Sequence, residues 1–184
     1  MPAALGLKYG TVALTTDDSW AREFDSERRR LADALSTVPY EIEHVGSTAV
    51  PGLVAKPILD IAVAIDPSCP LTRAFPVLAA LGYIHRGDAG AHGGQVFVRE
   101  SSALVRTHHL HLVARDDLQW DNYLSFRDYL RADEAARDRY AAVKRELASR
   151  FALDRKAYTA AKAEVVGALL EAARRRATRS RVTS

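Results

Sequence analysis

The chain has 184 residues, of which 48% are hydrophobic and 27% charged, a composition typical of a globular domain rather than a disordered one. Its single cysteine excludes an intramolecular disulfide, and the absence of a secretory signal or a bilayer-length apolar run leads us to expect a cytoplasmic protein without a membrane partner. The formal net charge is +3, but the last eleven residues contain five arginines and no acidic residue. Residues 1–173 therefore carry a net charge of about −2, which argues against nucleic acid as the partner.

The first strong pattern along the chain is an amphipathic helix. A capping residue at positions 17–19 precedes apolar residues at helical spacing, and we expect the helix to end near Ser36, before Pro39. Residues 41–45 then have the pattern of a short strand, which leads into the small-residue turn GSTAVPG.

The clearest strand pattern in the sequence is ILDIAVAI, residues 58–65. Alternation places Asp60, Ala62 and Ala64 on one face and the larger aliphatic residues on the other. Because a lone carboxylate is costly to bury in so apolar a strand, we interpret Asp60 as a functional residue, with a structural salt bridge as the alternative.

The middle of the chain combines one helix with three strands. A helix is predicted near residues 71–81, closed by Gly82, with Pro76 in its first turn or at a kink. Strands are predicted at YIHRG and QVFVRE, on either side of the glycine-rich connection DAGAHGG, and a further strand at THHLHLVA.

Two histidines of the last predicted strand share one face. Side chains alternate along a strand, so His109 and His111 lie together while Leu110 and Leu112 face the other way. Paired imidazoles suit a metal site, an acid–base pair or phosphate recognition, and these alternatives stay open.

From residue 117 onward the pattern becomes helical, with three successive helices predicted. Strands in the first two thirds and helices in the last third indicate an α+β domain with a mixed sheet. We expect this domain to cover residues 1–173 and to be followed by a flexible arginine-rich tail over residues 174–184.

The turn after the second strand has the composition of an anion site. Glycine lets the backbone approach a ligand, and the hydroxyls and N–H groups of Gly46, Ser47 and Thr48 can hold phosphate oxygens. A lone carboxylate such as Asp60 on the next strand can bind a divalent cation. An ordinary tight turn is the alternative.

The segment HVGSTAVPGLVAKPILDI resembles the signature of the GrpB family, which also occurs as a domain fused to some bacterial dephospho-CoA kinases. The resemblance covers nearly the whole chain, from DDSWAREFDSERRRL through HHLHLV to AYTAAKAEVV. It implies a nucleotidyltransferase-like mixed sheet with flanking helices. In that superfamily a Gly-Ser turn holds nucleotide phosphates and carboxylates on neighbouring strands hold two magnesium ions.

Carried onto this sequence, the resemblance makes Gly46 and Ser47 the phosphate turn and Asp60 the first metal-binding carboxylate. The second carboxylate, two residues on, is replaced by Ala62. We therefore expect a metal site that differs from the superfamily pattern. In it one divalent metal, magnesium or a transition metal, is bound by His44, Asp60, His109 and His111. No organic cofactor is indicated.

Several basic residues are candidates for binding a phosphorylated substrate: Lys56, Arg86, Arg99, Arg127, Lys144 and Lys162. We favour Lys56, Arg86 and Lys162 because they lie in segments that resemble the family, and we include Arg127 and Tyr158 in the substrate site. The expected function is an enzyme acting on a nucleotide or another phosphorylated or anionic small molecule, with Asp60, His109 and His111 as catalytic residues. A non-catalytic nucleotide-sensing module and a histidine–aspartate metal enzyme are the alternatives.

Overall fold

The computed structural model describes the backbone of residues 5–89 and 94–182, with side chains described through residue 176. Within these residues six strands form one sheet: β1 (Leu7–Lys8), β2 (Tyr40–Val45), β3 (Leu59–Ile65), β4 (Ile84–Asp88), β5 (Gln95–Ser102) and β6 (Val105–Ala114). The helices of the same residues are α1 (Trp20–Ala34), α2 (Phe75–Ala80), α3 (Leu118–Ala132), α4 (Glu134–Arg150) and α5 (Arg155–Val182). The predicted α+β class with a mixed sheet is confirmed.

The sheet has the order β2-β3-β6-β5-β4, and β1 pairs with the beginning of β6. Its two central strands, β3 and β6, are parallel, whereas the other neighbours are antiparallel. Every residue of β3 is buried except Asp60, which is half-buried. The central pairing sets Asp60 beside His109 and Ala62 beside His111, so one short stretch of the sheet carries the polar residues.

Helices cover both faces of the sheet. On one face α1 and α2 bury their apolar sides against β3 and β6, with Leu31, Ile61 and Leu110 fully buried in this core. On the other face Trp120 of α3 packs over the small residue Ala62. Small side chains on this face of β3 let a large aromatic ring approach the strand.

A buried acidic residue of α1 organises the first face of the sheet. Glu27 accepts hydrogen bonds of 2.8 Å from Arg30 and from Arg99 of β5, and one of 3.0 Å from the Tyr83 hydroxyl. Burial would raise the pKa of Glu27, but the bond from Arg30 and the nearby charges of His108 and Arg99 lower it. Arg99, a candidate for the substrate site, is therefore part of a structural ion-pair network.

The predicted helix at residues 71–81 begins as a 3-10 turn, Leu71–Ala74, and becomes α-helical only from Phe75. Pro76 lies in the first turn of α2, where its missing N–H needs no partner. The predicted glycine-rich connection between β4 and β5 has residues 90–93 outside the described part of the chain.

The expected boundary after residue 173 lies inside α5. This helix continues to Val182, and Arg174 donates a 2.7 Å hydrogen bond to the Asn122 side chain while Arg176 lies 3.8 Å from an oxygen of Asp133. The beginning of the predicted tail is thus helical and in contact with α3 and its C-terminal end. No helix in the described part of the chain combines the length and apolarity needed to cross a membrane.

Candidate functional site

The turn after β2 brings its backbone directly against Asp60. Gly46 has φ +68° and ψ −162°, a conformation that is essentially restricted to glycine. A Cβ at this position would lie 2.6 Å from Asp60 Oδ2 and 2.9 Å from Asp60 Cβ. The glycine therefore serves two purposes, because it supplies the backbone angle and leaves room for the carboxylate.

We expect Gly46→Ala to destabilise the fold by about 2 kcal/mol through backbone strain and to displace the Asp60 carboxylate. Gly52→Ala is the matched control, since Gly52 has a similar φ of +75° but open space where a Cβ would stand. Urea unfolding of both variants measures the losses of stability, and Gly46→Ala should lose more because it combines the unusual ψ of −162° with the contact with Asp60. A loss no larger than that of Gly52→Ala would contradict this expectation.

Asp60 is linked to a chain of basic side chains through His109. The His109 Nδ1 atom lies 3.4 Å from Asp60 Oδ1, and His109 Nε2 lies 3.2 Å from Arg106 and 3.3 Å from Arg155. Guanidinium groups only donate, so Nε2 accepts and the proton of a neutral imidazole resides on Nδ1, facing Asp60. Burial would raise the pKa of Asp60, but the His109 bond and the surrounding positive charge lower it to about 2.

A break in the strand register brings Arg106 to this face. Residues three apart on a regular strand face opposite ways, yet Arg106 contacts His109. The pairing of β5 with β6 shifts between Arg99, which is opposite His108, and Glu100, which is opposite Arg106. The extra residue on β6, Thr107, forms a β-bulge and reverses the alternation.

His111 is the second histidine on the face of Asp60. Burial lowers its pKa to about 4, although the Asp60 charge opposes this shift. Its ring lies 4.9 Å from the ring of Tyr123, and its buried Nδ1 has no hydrogen-bond partner among the described residues. His111 is therefore a neutral imidazole at pH 7 with one nitrogen left unpaired by the residues around it.

Two adjoining clefts open over these residues. The lysine cleft, of about 310 Å³, lies between the sheet and α5 and includes Lys56, His109 and Tyr158. The tyrosine cleft, of about 210 Å³, includes Gly46, Tyr123 and Tyr140. The residues common to both clefts are Ser47, Asp60, His111 and Lys162. The two clefts therefore form one continuous site around Asp60.

The lysine cleft is strongly basic although residues 1–173 are not. Four basic side chains line it, Lys56, Lys144, Arg155 and Lys162, and Asp60 is the one carboxylate among the described residues that line either cleft. Burial lowers the pKa of Lys56 to about 8, with the charges of Lys162 and Arg155 acting in the same direction. Like charges have thus been brought together in a partly desolvated space.

Tyr158 lies between two of these lysines in the cleft. The ammonium nitrogens of Lys56 and Lys162 are 5.0 and 5.8 Å from the centre of its ring, within the range of a cation–π interaction. Its buried hydroxyl has no hydrogen-bond partner in the described part of the chain. The ring positions the two ammonium groups without neutralising either of them.

Lys144 forms the buried end of the basic group. It is 2% exposed and donates a hydrogen bond to the Val54 carbonyl, which ties α4 to the segment before β3. Burial and the Lys162 charge hold the pKa of Lys144 well below its usual value.

The structure brings together eight of the predicted site residues: Gly46, Ser47, Lys56, Asp60, His109, His111, Tyr158 and Lys162. The inclusion of His44 in this group was wrong. His44 pairs with Ile61 on β3, so it faces the opposite side of the sheet from Asp60. There it stacks 4.6 Å from Phe24, and its Nε2 lies 2.9 Å from the hydroxyl of buried Thr48. Thr48 accordingly lines neither cleft.

Two predicted arginines also lie outside the clefts. Arg86 is on the edge strand β4, 3.4 Å from Glu100. Arg127 of α3 donates hydrogen bonds to Glu43, to Asp128 and to the main-chain carbonyl of His44. Its guanidinium is therefore a structural link between α3 and β2 rather than a free phosphate-binding group.

The residues present do not fit the two-magnesium centre that the superfamily implies. Ala62 is fully buried against Trp120 where a second carboxylate would stand, and one oxygen of Asp60 already faces His109. Within residues 5–89 and 94–176, no group of three or more His, Cys, Asp or Glu side chains is arranged to hold a metal ion. The expected four-ligand set of His44, Asp60, His109 and His111 is thus not assembled.

Arg106 and Arg155 are site residues that the sequence patterns above did not predict. Arg155 precedes Tyr158 and Lys162 by three and seven residues, so the helical spacing of these three basic and aromatic residues carried the signal. No spacing rule indicated Arg106, because its position depends on the bulge in β6.

Comparisons with known proteins identify the family of the chain. Residues 12–172 match a family model described as GrpB protein. The chain is 34% identical over 171 residues to the "Glutamate-rich protein GrpB" of Alkalihalophilus pseudofirmus, covering 90% of this chain and 98% of that protein. Among solved structures it is similar to the conserved protein GrpB from Enterococcus faecalis, with a TM-score of 0.78 and 28% identity over 88% of this chain and 96% of that one.

A similar fold is found in a nucleotidyltransferase. The Cid1 poly(U) polymerase, solved with Mg 3'-dATP bound, has a TM-score of 0.53 and 16% identity over 74% of this chain and 44% of that protein. At this level of identity the similarity concerns the fold alone.

Proposed function

The chain belongs to the GrpB family and has a nucleotidyltransferase-like fold, and from this premise we propose that it is an enzyme acting on a nucleotide or another phosphorylated small molecule. The ligand phosphates would occupy the lysine cleft, and transfer chemistry would take place at one of them. The combined clefts fall in the size range of small-molecule sites, roughly 300–1,000 Å³.

One observation carries this proposal. Four basic side chains of the lysine cleft converge near Ser47, with Asp60 as the one carboxylate among the described lining residues. Clustered cations are costly when partly buried, and an anionic ligand would offset that cost. Several phosphate oxygens in a row match several cations in a row better than a single carboxylate does.

The tyrosine cleft supports a nucleotide over a bare phosphate chain. It adds Tyr123, Phe126 and Tyr140 next to the amide side chains of Gln119 and Asn122. Aromatic walls with a few hydrogen-bonding groups are the usual environment of a planar base. The phosphates would then pass Ser47 into the lysine cleft.

His111 is the group best suited to accept a proton from a reacting hydroxyl. It borders both clefts, and its imidazole is neutral at pH 7 and can therefore take up a proton. The basic side chains would stabilise charge that develops on the phosphate during transfer.

We expect His111→Gln to lower turnover at least about 100-fold, the usual contribution of a general base, while ATP affinity changes less than about 3-fold. Calorimetric titration with each of the four common nucleoside triphosphates identifies the tightest ligand, and phosphorus NMR of long incubations detects its products. Lys8→Gln, an exposed lysine on β1, is the control for general charge effects. Absence of saturable binding to any phosphorylated compound would contradict the proposal.

A non-catalytic nucleotide-sensing module is the second candidate, and Ala62 is the observation that favours it. With Ala62 in the place of a carboxylate, the site lacks the second metal ligand of the superfamily. Saturable nucleotide binding without any product from wild-type protein would support sensing over catalysis.

A further inference from the structure

The lysine cleft holds positively charged groups around Asp60, the residue that the family resemblance makes the first metal-binding carboxylate. Asp60 has one oxygen directed at His109 and the other beside the Gly46 backbone. Ala62, the next residue on that face of β3, is sealed under Trp120. No second carboxylate among the described lining residues shares the cleft with Asp60, so a divalent cation would have few anionic oxygens to bind.

The basic side chains would also repel such a cation. Lys56 lies in the loop before β3, and Arg155 and Lys162 lie on α5. All three side chains line the same cleft around Asp60. The Coulomb interaction of each basic side chain with a divalent cation is repulsive and twice that with a monovalent one, whereas its interaction with a phosphate chain is attractive.

The contacts of His109 indicate the same preference. Its Nε2 faces Arg106 and Arg155, and its Nδ1 faces Asp60. Asp60 therefore serves as the counter-ion and anchor of a histidine–arginine chain. This contact occupies one oxygen of Asp60 and leaves only the other, beside the Gly46 backbone, for a cation.

We propose that this cleft binds a polyphosphate in its metal-free form, with the side chains of Lys56, Arg155 and Lys162 taking the charge-neutralising role of metal ions. This inference rests on the proposed function, because it concerns the same site and the same class of ligand. It departs from the related fold in needing no divalent cation for phosphate recognition.

The test compares tripolyphosphate and ATP binding in two buffers of equal ionic strength, one with EDTA and one with excess magnesium chloride. Metal-free ligand carries more negative charge than its magnesium complex, so we expect its Kd in EDTA to be equal to or lower than its Kd in magnesium. Binding that is 10-fold or more tighter with magnesium would overturn the inference and leave the proposed function standing. Absence of binding in both buffers would overturn both.

Asp60→Asn gives a second test in which the two explanations predict opposite signs. If Asp60 is only a counter-ion, its neutralisation removes a repulsion, and polyphosphate should bind about 3- to 10-fold more tightly in EDTA. If Asp60 is a metal ligand, the variant should bind at least 10-fold more weakly in magnesium, which would overturn the inference. Asp33→Asn, an exposed change on α1, controls for net charge, and thermal unfolding verifies that each variant is folded.

Discussion

Replacing both Lys56 and Lys162 by glutamine is expected to weaken ATP binding about 1000-fold. Hydrogen bonds to charged groups contribute about 1.5–3 kcal/mol each, and every 1.4 kcal/mol is a factor of ten in Kd. Two such bonds at about 2 kcal/mol each account for the expected loss. Calorimetric titration with ATP, in both magnesium and EDTA buffers, measures it.

The same double variant should not lose stability without ligand. Burial, and after it the charge of Lys162, lowers the pKa of Lys56, so removal of the two repelling and partly buried charges should leave the melting temperature unchanged or raise it. Lys8→Gln should change neither quantity. A loss of ATP affinity below about 10-fold, or an equal loss in Lys8→Gln, would show that the lysine cleft is not the phosphate site.

Acidification from pH 7 to pH 5 is expected to destabilise the fold by about 4 kcal/mol through His44 and His108, and His111, whose pKa is also lowered to about 4, adds a loss of the same sign. Burial lowers the pKa of His44 and of His108 to about 4, from an ordinary value of 6.5. The unfolded chain therefore takes up protons at these positions between pH 6.5 and 4 while the folded chain does not. Stability is full above pH 6.5 and is lost as the pH falls, at about 1.4 kcal/mol per residue and pH unit.

Both histidines are at most 7% exposed, so solvent screening does not reduce this effect greatly. Urea unfolding at pH 7, 6 and 5 measures it, and replacement of His108 by asparagine should remove about a third of the slope, because His44 and His111 continue to titrate in the same way. Val38→Ala, a core change without a titrating group, should lower stability equally at every pH. A wild-type stability that is flat between pH 7 and 5 would contradict the expectation.

Strand alternation predicted the centre of the site correctly. Asp60, His109 and His111 lie on one face because their strands are regular where they pair, from Leu59 beside His108 to Ile65 beside Ala114. The cost of burying a carboxylate in an apolar strand singled out Asp60, whose carboxylate lies 3.4 Å from His109, and its functional role stays a prediction. These inferences needed only the local period of two residues.

The parts that were missed depend on relations between strands. The position of Arg106 follows from the bulge at Thr107, which is a property of the β5–β6 pairing and has no marker in the local pattern. The prediction placed His44 in the site because it lies two residues before Gly46 in the sequence. Its actual side of the sheet is decided by the antiparallel register with Ile61, which sequence distance does not convey.

The predicted arginine tail shows a different limit. Its charge argued for a solvated terminus, but Arg174 and Arg176 have tertiary partners, Asn122 and Asp133, that lie 52 and 43 residues earlier in the chain. Arg127 was misjudged for a similar reason, because its three partners come from β2 and from its own helix. The structural roles of these arginines depend on tertiary contacts, which the composition of a segment does not reveal.

The position of α5 has a consequence for the order of events during synthesis. The sheet and its first core are complete in sequence once β6 has emerged from the ribosome, whereas one wall of the lysine cleft, with Tyr158 and Lys162, is translated only later. A nascent chain that stops in α4 lacks this wall of the cleft. On the proposed function, affinity for phosphate is therefore expected only after residue 162 has been translated, and it would then serve as a reporter of completed folding in a translation extract.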